Sequence, residues 1–247
     1  MIRRYLEAGT LANGITKERH EGTPQGAPLS PLLAHVLLDE VDRELERRGH
    51  AFVRYADDCN IYVRSRRAGE RTLERLRRLY ARLRLRINEA KSAVARPWHR
   101  KFLGYSFWVG PGQTIRRRVS PEALKAMKQQ VRWITGRSKG RSIESVVERL
   151  REYLTGWKEY FQLADTPGIF TDLDQWIRRR LRLVQLKQWK RGTTAYRELL
   201  ARGVPEPVVR RACTHVYRWW LTSKHVALNM ALPTSYYDRL GVPRLAS

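Results

Sequence analysis

Two adjacent carboxylates, Asp57 and Asp58, are the residues of this sequence with the clearest capacity for chemistry. They lie between the segments 52–55 and 60–63, which alternate apolar and polar side chains as short strands do. Because aspartate favours turns, we predict that the pair lies at the tip of a β-hairpin. On its own, such a pair is more typical of a solvated turn than of a site.

The charge of the whole chain favours a functional role for the pair. The 247 residues include 49 Lys and Arg but only 24 Asp and Glu, which gives a formal net charge of +25. Burying two carboxylates between strands costs desolvation and mutual repulsion unless a cation joins them. Mg²⁺ commonly binds through one or two protein carboxylates and substrate phosphates. We therefore predict a buried acidic tip that binds Mg²⁺ through Asp57 and Asp58.

The positive charge is concentrated in the C-terminal part of the chain. Residues 1–92 hold 19 basic and 13 acidic residues, whereas residues 93–247 hold 30 and 11, a net charge of +19. Most of the bases are arginines, which pair bidentately with phosphate. A polyanion is therefore the expected partner. An anionic membrane is the weaker alternative, because the aromatic residues are spread over several predicted helices rather than one amphipathic segment.

Several classes of protein are disfavoured by the remaining composition. The two cysteines, Cys59 and Cys213, form no CxxC motif, and the six histidines show no metal-binding spacing. No apolar run is long enough to span a bilayer, and the N-terminus does not resemble a signal peptide. These features predict a cytosolic protein without a zinc finger and without a membrane partner.

The periodicity predicts an α+β protein in two parts. Residues 1–119 read as a mixed unit with an antiparallel sheet, which includes a hairpin at Asn13-Gly14 and strands at 101–108 and 113–119. Its first long helix, which follows Ser30-Pro31, is expected to bury Leu33, Leu37, Val41 and Leu45. Residues 120–247 read as an all-α basic domain, with helix starts predicted at Ser120, Ser142 and Thr171.

The order of short motifs is more specific than any one of them. The N-terminal part resembles the palm of reverse transcriptases, through the motifs PQG-x-x-LSP (24–31), YADD (55–58), NEAKS (88–92) and FLGY (102–105). The C-terminal part resembles the group II intron maturase domain, through the segments YLTGW (153–157), WIRRRL (176–181), QWK (188–190) and LGVP (240–243). Nearly the whole chain therefore resembles part of a group II intron-encoded reverse transcriptase/maturase.

This resemblance implies a partial right-hand polymerase palm in 1–119, followed by a thumb and maturase domain in 120–247. The implied reaction is RNA-directed DNA synthesis, in which two Mg²⁺ ions clamp the attacking and leaving oxygens. The family motifs assign catalytic and metal-binding roles to Asp57 and Asp58. They assign substrate contacts to four residues: Gln25, Gly26, Tyr55 and Lys91. An ordinary loop at 22–31 and an exposed turn lysine at 91 are the alternatives for those two regions.

The sequence also departs from the family pattern. Ala27 stands where a second glycine is common, and no Asp precedes Asp39, although the family carries its first metal-binding Asp on an earlier strand. Asp39 and Asp42 are interpreted as the solvated face of a helix. We therefore expect this chain alone to polymerise poorly, as a truncated product or fragment. Its full activity would need a partner segment that carries the fingers and the first palm strand.

The resemblance further implies an RNA-binding surface on the basic domain. Its expected partners are group II intron RNA, an RNA template with a DNA primer, and deoxynucleoside triphosphates. Three tryptophans, Trp157, Trp176 and Trp189, are instead expected in the core, at helical spacing. The predicted RNA-binding residues are Arg116, Arg117, Arg118, Arg178, Arg179, Arg180, Arg182, Lys187, Lys190 and Arg191.

Three functional hypotheses follow. The first is a reverse transcriptase with maturase activity. The second is a non-catalytic RNA-binding splicing cofactor in which the palm is only a scaffold. The third is an unrelated basic RNA-binding protein, which the ordered motifs disfavour. Mg²⁺-dependent nucleotide incorporation separates the first from the second, and a salt-dependent RNA affinity is required by all three.

Overall fold

The computed structural model describes Arg4 and residues 10–12, 15–17, 28–136, 140–214 and 218–246. The chain forms two compact units, Met1–Arg96 and Pro97–Ser247. Within the described residues, the first unit contains two β-hairpins and two long helices, and the second contains a three-stranded sheet and eight helices. The α+β class predicted from the sequence is confirmed.

The first unit is assembled from neighbouring segments of the chain. Its two hairpins are antiparallel. The turn predicted at Asn13-Gly14 lies outside the described residues, and Ala56 and Asp57 join the strands of the second hairpin. The elements in chain order are β1 (Thr10–Ala12), β2 (Ile15–Lys17), α1 (Ser30–Arg47), β3 (Ala51–Tyr55), β4 (Asp58–Tyr62) and α2 (Arg66–Arg82).

Helix α1 buries two of the four residues that the sequence pattern placed inside, Val41 and Leu45, whereas Leu33 is half-buried and Leu37 is exposed. Leu38, Val41 and Leu45 are buried, at spacings of three and four residues, and Leu79 of α2 belongs to the same small core. Leu37, expected inside, is 39% exposed. A four-residue repeat advances about 40° around the helix at each step, so the run from Leu33 to Leu45 spreads over about 120° and only its last two members lie on the buried face with Leu38.

The second unit opens with an antiparallel sheet in the order β5 (Lys101–Phe102), β6 (Tyr105–Val109) and β7 (Ile115–Val119). The single strand expected at 101–108 is divided by Leu103 and Gly104, which both have positive φ angles. Val119, at the end of β7, is 1% exposed and belongs to the same hydrophobic cluster as the helices. The boundary drawn at 119/120 from the sequence therefore falls inside this compact unit.

Eight helices complete the second unit and provide most of the core of the protein. Their central members are α4 and α5. Helix α4 buries one apolar face, whereas α5 buries one face along its first half and most of its circumference over residues 183–186. Trp157 and Trp189 are buried and Trp176 is half-buried, which confirms their assignment to the core. The helices are α3 (Pro121–Ile134), α4 (Ile143–Phe161), α5 (Pro167–Trp189), α6 (Gly192–Ala201), α7 (Glu206–Cys213), α8 (Trp219–Thr222), α9 (Val226–Ala231) and α10 (Thr234–Arg239).

The predicted helix starts at Ser120 and Ser142 are confirmed. Both hydroxyls accept a hydrogen bond from the backbone N–H three residues later, at 3.2 Å. The start predicted at Thr171 is wrong, because α5 begins at Pro167. Proline at the first turn of a helix needs no N–H partner there, so its fixed φ favours this earlier start.

A buried carboxylate attaches the C-terminal segment to α5. Asp174 is 5% exposed. It accepts hydrogen bonds from the backbone N–H of Leu245 at 3.0 and 3.1 Å and from that of Ala246 at 3.1 Å. Arg151 of α4 donates to the carbonyls of Leu240 and Gly241. The LGVP segment that carried part of the resemblance is therefore part of the folded helical unit.

Candidate functional site

The hairpin β3–β4 presents the two predicted catalytic carboxylates at its tip. Ala56 and Asp57 form the two-residue connection, and Tyr55 pairs with Asp58 in the ladder. Ala56 has a φ of +53°, in the left-handed region that residues with a side chain rarely adopt. Two-residue hairpin turns require a positive φ at this first position, which alanine adopts with more strain than glycine.

The carboxylates of Asp57 and Asp58 are exposed, so the prediction of a buried acidic tip is wrong. Only one face of the hairpin is covered: Phe52, Cys59 and Ile61 pack against the core that α1 and α2 form. Within the described part of the chain, β3 pairs with β4 and with no third strand. Both carboxylates are accessible to water and therefore keep their hydration, so their charges carry little desolvation cost.

The uncovered face of this hairpin carries the predicted primer contact. Tyr55 is 63% exposed. Directly paired residues of an antiparallel ladder point to the same side, so Tyr55 and Asp58 share a face of the hairpin. Val53 and Tyr62, also largely exposed, lie on that face at alternate positions. The result is an open surface of aromatic and apolar side chains that ends at a carboxylate.

Of the other three predicted substrate contacts, only Lys91 lies among the described residues. Lys91 lies exposed in a turn after α2, where its backbone N–H donates to the Asn88 carbonyl at 3.1 Å. Gln25 and Gly26 lie outside the described residues. The assignment of these three residues to the nucleotide stays a prediction.

Sequence reasoning missed the residue that holds the hairpin tip. Arg54 forms an ion pair with Asp42 of α1, and the side chains are only 10% and 21% exposed. The prediction that Asp42 lies on a solvated helix face is therefore wrong. Asp39 is half-exposed and pairs with Arg43 one turn away. The strand alternation contains the signal, because Arg54 shares its face with Phe52 and an inward arginine needs a carboxylate.

The donor chemistry of the tip fits Mg²⁺ as part of a site. Two adjacent carboxylates supply hard oxygen ligands, and Mg²⁺ usually retains water or takes substrate phosphates at its other positions. No group of three or more His, Cys, Asp or Glu side chains suited to a metal ion occurs within residues 28–136, 140–214 and 218–246. Asp57 and Asp58 can hold an ion only together with ligands from a substrate or from elsewhere.

The cysteine beside this site is not an activated nucleophile. Cys59 pairs with Arg54 in the ladder and is half-buried on the covered face of the hairpin. Burial raises the pKa of its thiol to about 11, an effect to which the nearby Asp42 carboxylate contributes. Because the thiolate is the reactive form, Cys59 is a poor nucleophile at neutral pH.

The predicted RNA-binding arginines of β7 are already engaged within the protein. Arg117 donates to the Asp165 carboxylate from its backbone N–H at 2.7 Å and from its guanidinium. These bonds hold the pKa of Asp165 below its ordinary value. Arg118 donates to the Ser106 hydroxyl at 3.1 Å, and the Arg116 guanidinium lies 5.9 Å from the Trp108 ring centroid. All three remain exposed, so RNA contact is compatible with these interactions.

The arginines of α5 divide into two groups. Arg180 donates to the hydroxyl and the carbonyl of Thr135, at 3.0 and 3.2 Å, and Arg182 donates to the Leu232 carbonyl. Burial lowers the pKa of Arg182. These two side chains join α5 to distant parts of the unit. Arg178 carries no such hydrogen bond among those assigned in the structure, and it lines a groove.

That groove, of about 540 Å³, gathers part of the predicted RNA-binding set. Arg178, Arg179 and Arg182 of α5 line it, together with Lys224, which sequence reasoning did not select. The Arg179 guanidinium lies 3.4 Å from the ring centroid of Trp220, which is 44% exposed. The lining includes four cationic side chains and one carboxylate, that of Asp172. We define this surface as the α5 groove.

The remaining predicted bases lie at the end of α5. Lys187 is exposed and its ammonium lies 5.4 Å from the Trp219 ring centroid. Lys190 ends α5 with a φ of +55°, and Arg191 precedes the first residue of α6. The structure thus places these three at one helix junction and Arg116, Arg117 and Arg118 on a strand. Within the described residues, no helix is both long and apolar enough to cross a bilayer.

Comparisons with known proteins match both units. The family described as reverse transcriptase (RNA-dependent DNA polymerase) matches residues 1–107, which include the hairpin tip. The family described as group II intron, maturase-specific domain, matches residues 124–203, which include α4 and α5. The group II intron-encoded protein LtrA of Lactococcus lactis subsp. cremoris, and that of strain MG1363, are each 46% identical over 43 residues. That match covers 17% of this chain and 7% of the relative.

Proposed function

Because the chain belongs to the group II intron-encoded reverse transcriptase/maturase family, we propose that it carries part of an RNA-directed DNA polymerase site and an RNA-binding maturase surface. The observation that carries this proposal is the coincidence of one motif with one structural feature. The YADD residues of the reverse transcriptase match form the exposed tip of a hairpin whose open face is accessible to a nucleic acid.

In the proposed site, Asp57 and Asp58 would hold Mg²⁺ together with the phosphates of a deoxynucleoside triphosphate. The chemistry supplied there would be neutralisation of phosphate charge during nucleotidyl transfer. Tyr55, on the same face as Asp58, supports the primer end through its ring. Gln25 and Gly26 approach the incoming nucleotide and template, and Lys91 approaches the triphosphate.

We also propose that this chain polymerises weakly by itself. Two carboxylates organise one ion better than two, and the described residues supply no third metal-binding side chain near them. The curated relatives are far longer than the matched segment, so the activity of a whole family member is not transferred to this chain. A partner segment that contributes a third carboxylate would raise the activity.

The second proposed activity is RNA binding by the helical unit. Its positive charge, the α5 groove and the aromatic side chains beside it suit phosphates and unstacked bases. We propose group II intron RNA as the ligand and splicing assistance as the outcome, and a cytosolic location stays a prediction. A non-catalytic splicing cofactor is the second candidate function, which the exposed, incomplete acidic tip favours.

Primer extension with and without Mg²⁺ tests the proposal. We expect slow, Mg²⁺-dependent incorporation that Asp57→Ala abolishes, while binding to structured intron RNA is unchanged. Asp39→Ala is the matched control, because Asp39 is a half-exposed acid of the same unit that forms an ion pair with Arg43 one turn along α1. Incorporation that survives Asp57→Ala would refute the catalytic assignment. Fast incorporation by the wild-type chain would refute the proposal of weak activity.

Absence of incorporation, with RNA binding retained in the wild type and in an Asp57→Ala, Asp58→Ala double variant, would favour the splicing cofactor. A measured RNA affinity that hardly changes with ionic strength would contradict both candidates, because phosphate contacts release counterions.

A further inference from the structure

The Arg54 guanidinium contacts three groups that lie in two different elements. Its Nε donates to the Asp42 carboxylate at 2.8 and 3.0 Å, and its Nη2 donates to the same carboxylate. Its Nη1 donates to the Ala56 carbonyl at 3.0 Å and lies 3.2 Å from His35 Nδ1. Since a guanidinium only donates, His35 accepts through Nδ1 and carries its proton on Nε2.

The Ala56 carbonyl is the part of this network that bears on the site. It belongs to the peptide group between Ala56 and Asp57, the central peptide of the two-residue turn. Ala56 has a positive φ and Asp57 does not. A type I′ turn needs positive φ at both central residues, whereas a type II′ turn needs it only at the first. The two turns differ by rotation of this central peptide, which redirects the Asp57 side chain.

We propose that Arg54 is a positioning residue that selects one orientation of the Ala56–Asp57 peptide and thereby fixes the direction of the Asp57 carboxylate. Asp42 holds the guanidinium in place from α1, and the Ala56 carbonyl receives one of its donors. The positive φ of Ala56 does not choose between the two turns, because both require it at this position. Aspartate tolerates the left-handed region, so the turn sequence alone leaves the type I′ arrangement open at Asp57 and a further contact is needed to select the other one.

Lysine cannot replace arginine in this role. A planar fork with five N–H donors binds Asp42 with two nitrogens and still reaches Ala56, whereas an ammonium is a single point of charge. The pair is also largely shielded from water, so its geometry is tightly determined. The inference rests on the proposed function in one respect: Asp57 must bind a metal ion for its direction to matter.

The test compares Arg54→Lys with the wild-type chain by NMR. The Ala56 carbonyl ¹³C shift and the Asp57 amide ¹⁵N shift report the orientation of the central peptide, and line broadening by added Mn²⁺ reports metal binding at Asp57 and Asp58. We expect both shifts to move and the apparent Mn²⁺ affinity to fall about tenfold, as for the loss of a residue that orients a metal ligand. Circular dichroism verifies that the variant is folded.

The matched control is Arg43→Lys, which alters an exposed ion pair of α1, the helix that carries Asp42. It is expected to leave the shifts and the Mn²⁺ affinity unchanged. If Arg54→Lys does not fold, Asp42→Asn provides a second variant that loosens the same guanidinium without changing the strand. We expect the effects of Asp42→Asn and Arg54→Lys to be non-additive in the double variant, because the two residues act through one network.

The outcomes separate this inference from the proposed function. Wild-type shifts and wild-type Mn²⁺ affinity in folded Arg54→Lys would overturn the positioning role. If the wild-type chain shows no Mn²⁺ broadening at its tip, the proposed metal site fails. In that case a shifted Ala56 carbonyl in Arg54→Lys still supports control of the turn by Arg54, and an unshifted one refutes it.

Discussion

The α5 groove provides the sharpest test of the proposed RNA binding. Of its four cations, Arg179 and Arg182 also donate to the backbone carbonyls of Trp220 and Leu232. Their removal would change the fold as well as the charge. Arg178 and Lys224 line the same groove and have no assigned hydrogen bond of that kind. The double substitution Arg178→Ala, Lys224→Ala therefore removes half of the groove's positive charge with little structural damage.

The expected magnitude follows from the number of phosphate contacts. A hydrogen bond to a charged group contributes about 1.5 kcal/mol at the lower end of its range, so two lost contacts cost about 3 kcal/mol, or roughly a hundredfold in affinity. Each neutralised phosphate also contributes about 0.7 (single strand) to about 0.9 (duplex) to the slope of log K against log salt concentration, so for structured RNA that slope should fall by about 1.4–1.8.

The assay is binding of structured intron RNA over a series of salt concentrations. Lys125→Ala, Arg149→Ala is the matched control, because it removes the same charge from exposed positions of α3 and α4 that do not line the groove. We expect the control to change the salt slope by less than about half as much as the groove variant. Equal losses of affinity and slope in the two variants would refute a localised groove and leave only the overall charge.

Three further predictions concern the fold around the two sites. Asp174→Ala leaves two buried backbone N–H groups without an acceptor, so the free energy of unfolding should fall by about 2–4 kcal/mol in urea titrations; an unchanged midpoint and slope would contradict this. Ala56→Val should lower the melting temperature whereas Ala56→Gly should not, because a β-branched residue tolerates positive φ poorly. Alkylation of Cys59 at pH 8 should be slow and should speed up about tenfold per pH unit toward its pKa of about 11. Because folding raises this pKa, the protonated Cys59 thiol makes its full contribution to the free energy of unfolding below the pKa of the unfolded thiol, and this contribution is lost as the pH rises to about 11. An alkylation rate that does not change with pH would contradict the raised pKa.

The sequence alone determined the features that depend on contiguous residues. The turn at Asp57, the capping serines Ser120 and Ser142, and the apolar faces of α4 and α5 follow from local chemistry and periodicity. The order of the motifs also predicted the family, which the matches over 1–107 and 124–203 confirm. Each of these caps, turns, faces and motifs can be recognised from the sequence because it is encoded within a few turns of helix or one strand pair.

Only the tertiary structure decided which charges are available for a ligand and which hold the fold together. Arg179, Arg180 and Arg182 bind carbonyl groups 41, 45 and 50 residues away, and Arg54 binds a carboxylate 12 residues away. A guanidinium binds a carbonyl, a carboxylate or a phosphate with the same donors, so its sequence neighbours do not specify the partner. The exposure of Asp57 likewise depends on which elements cover the hairpin. Both properties are set by packing between distant segments, which no local pattern encodes.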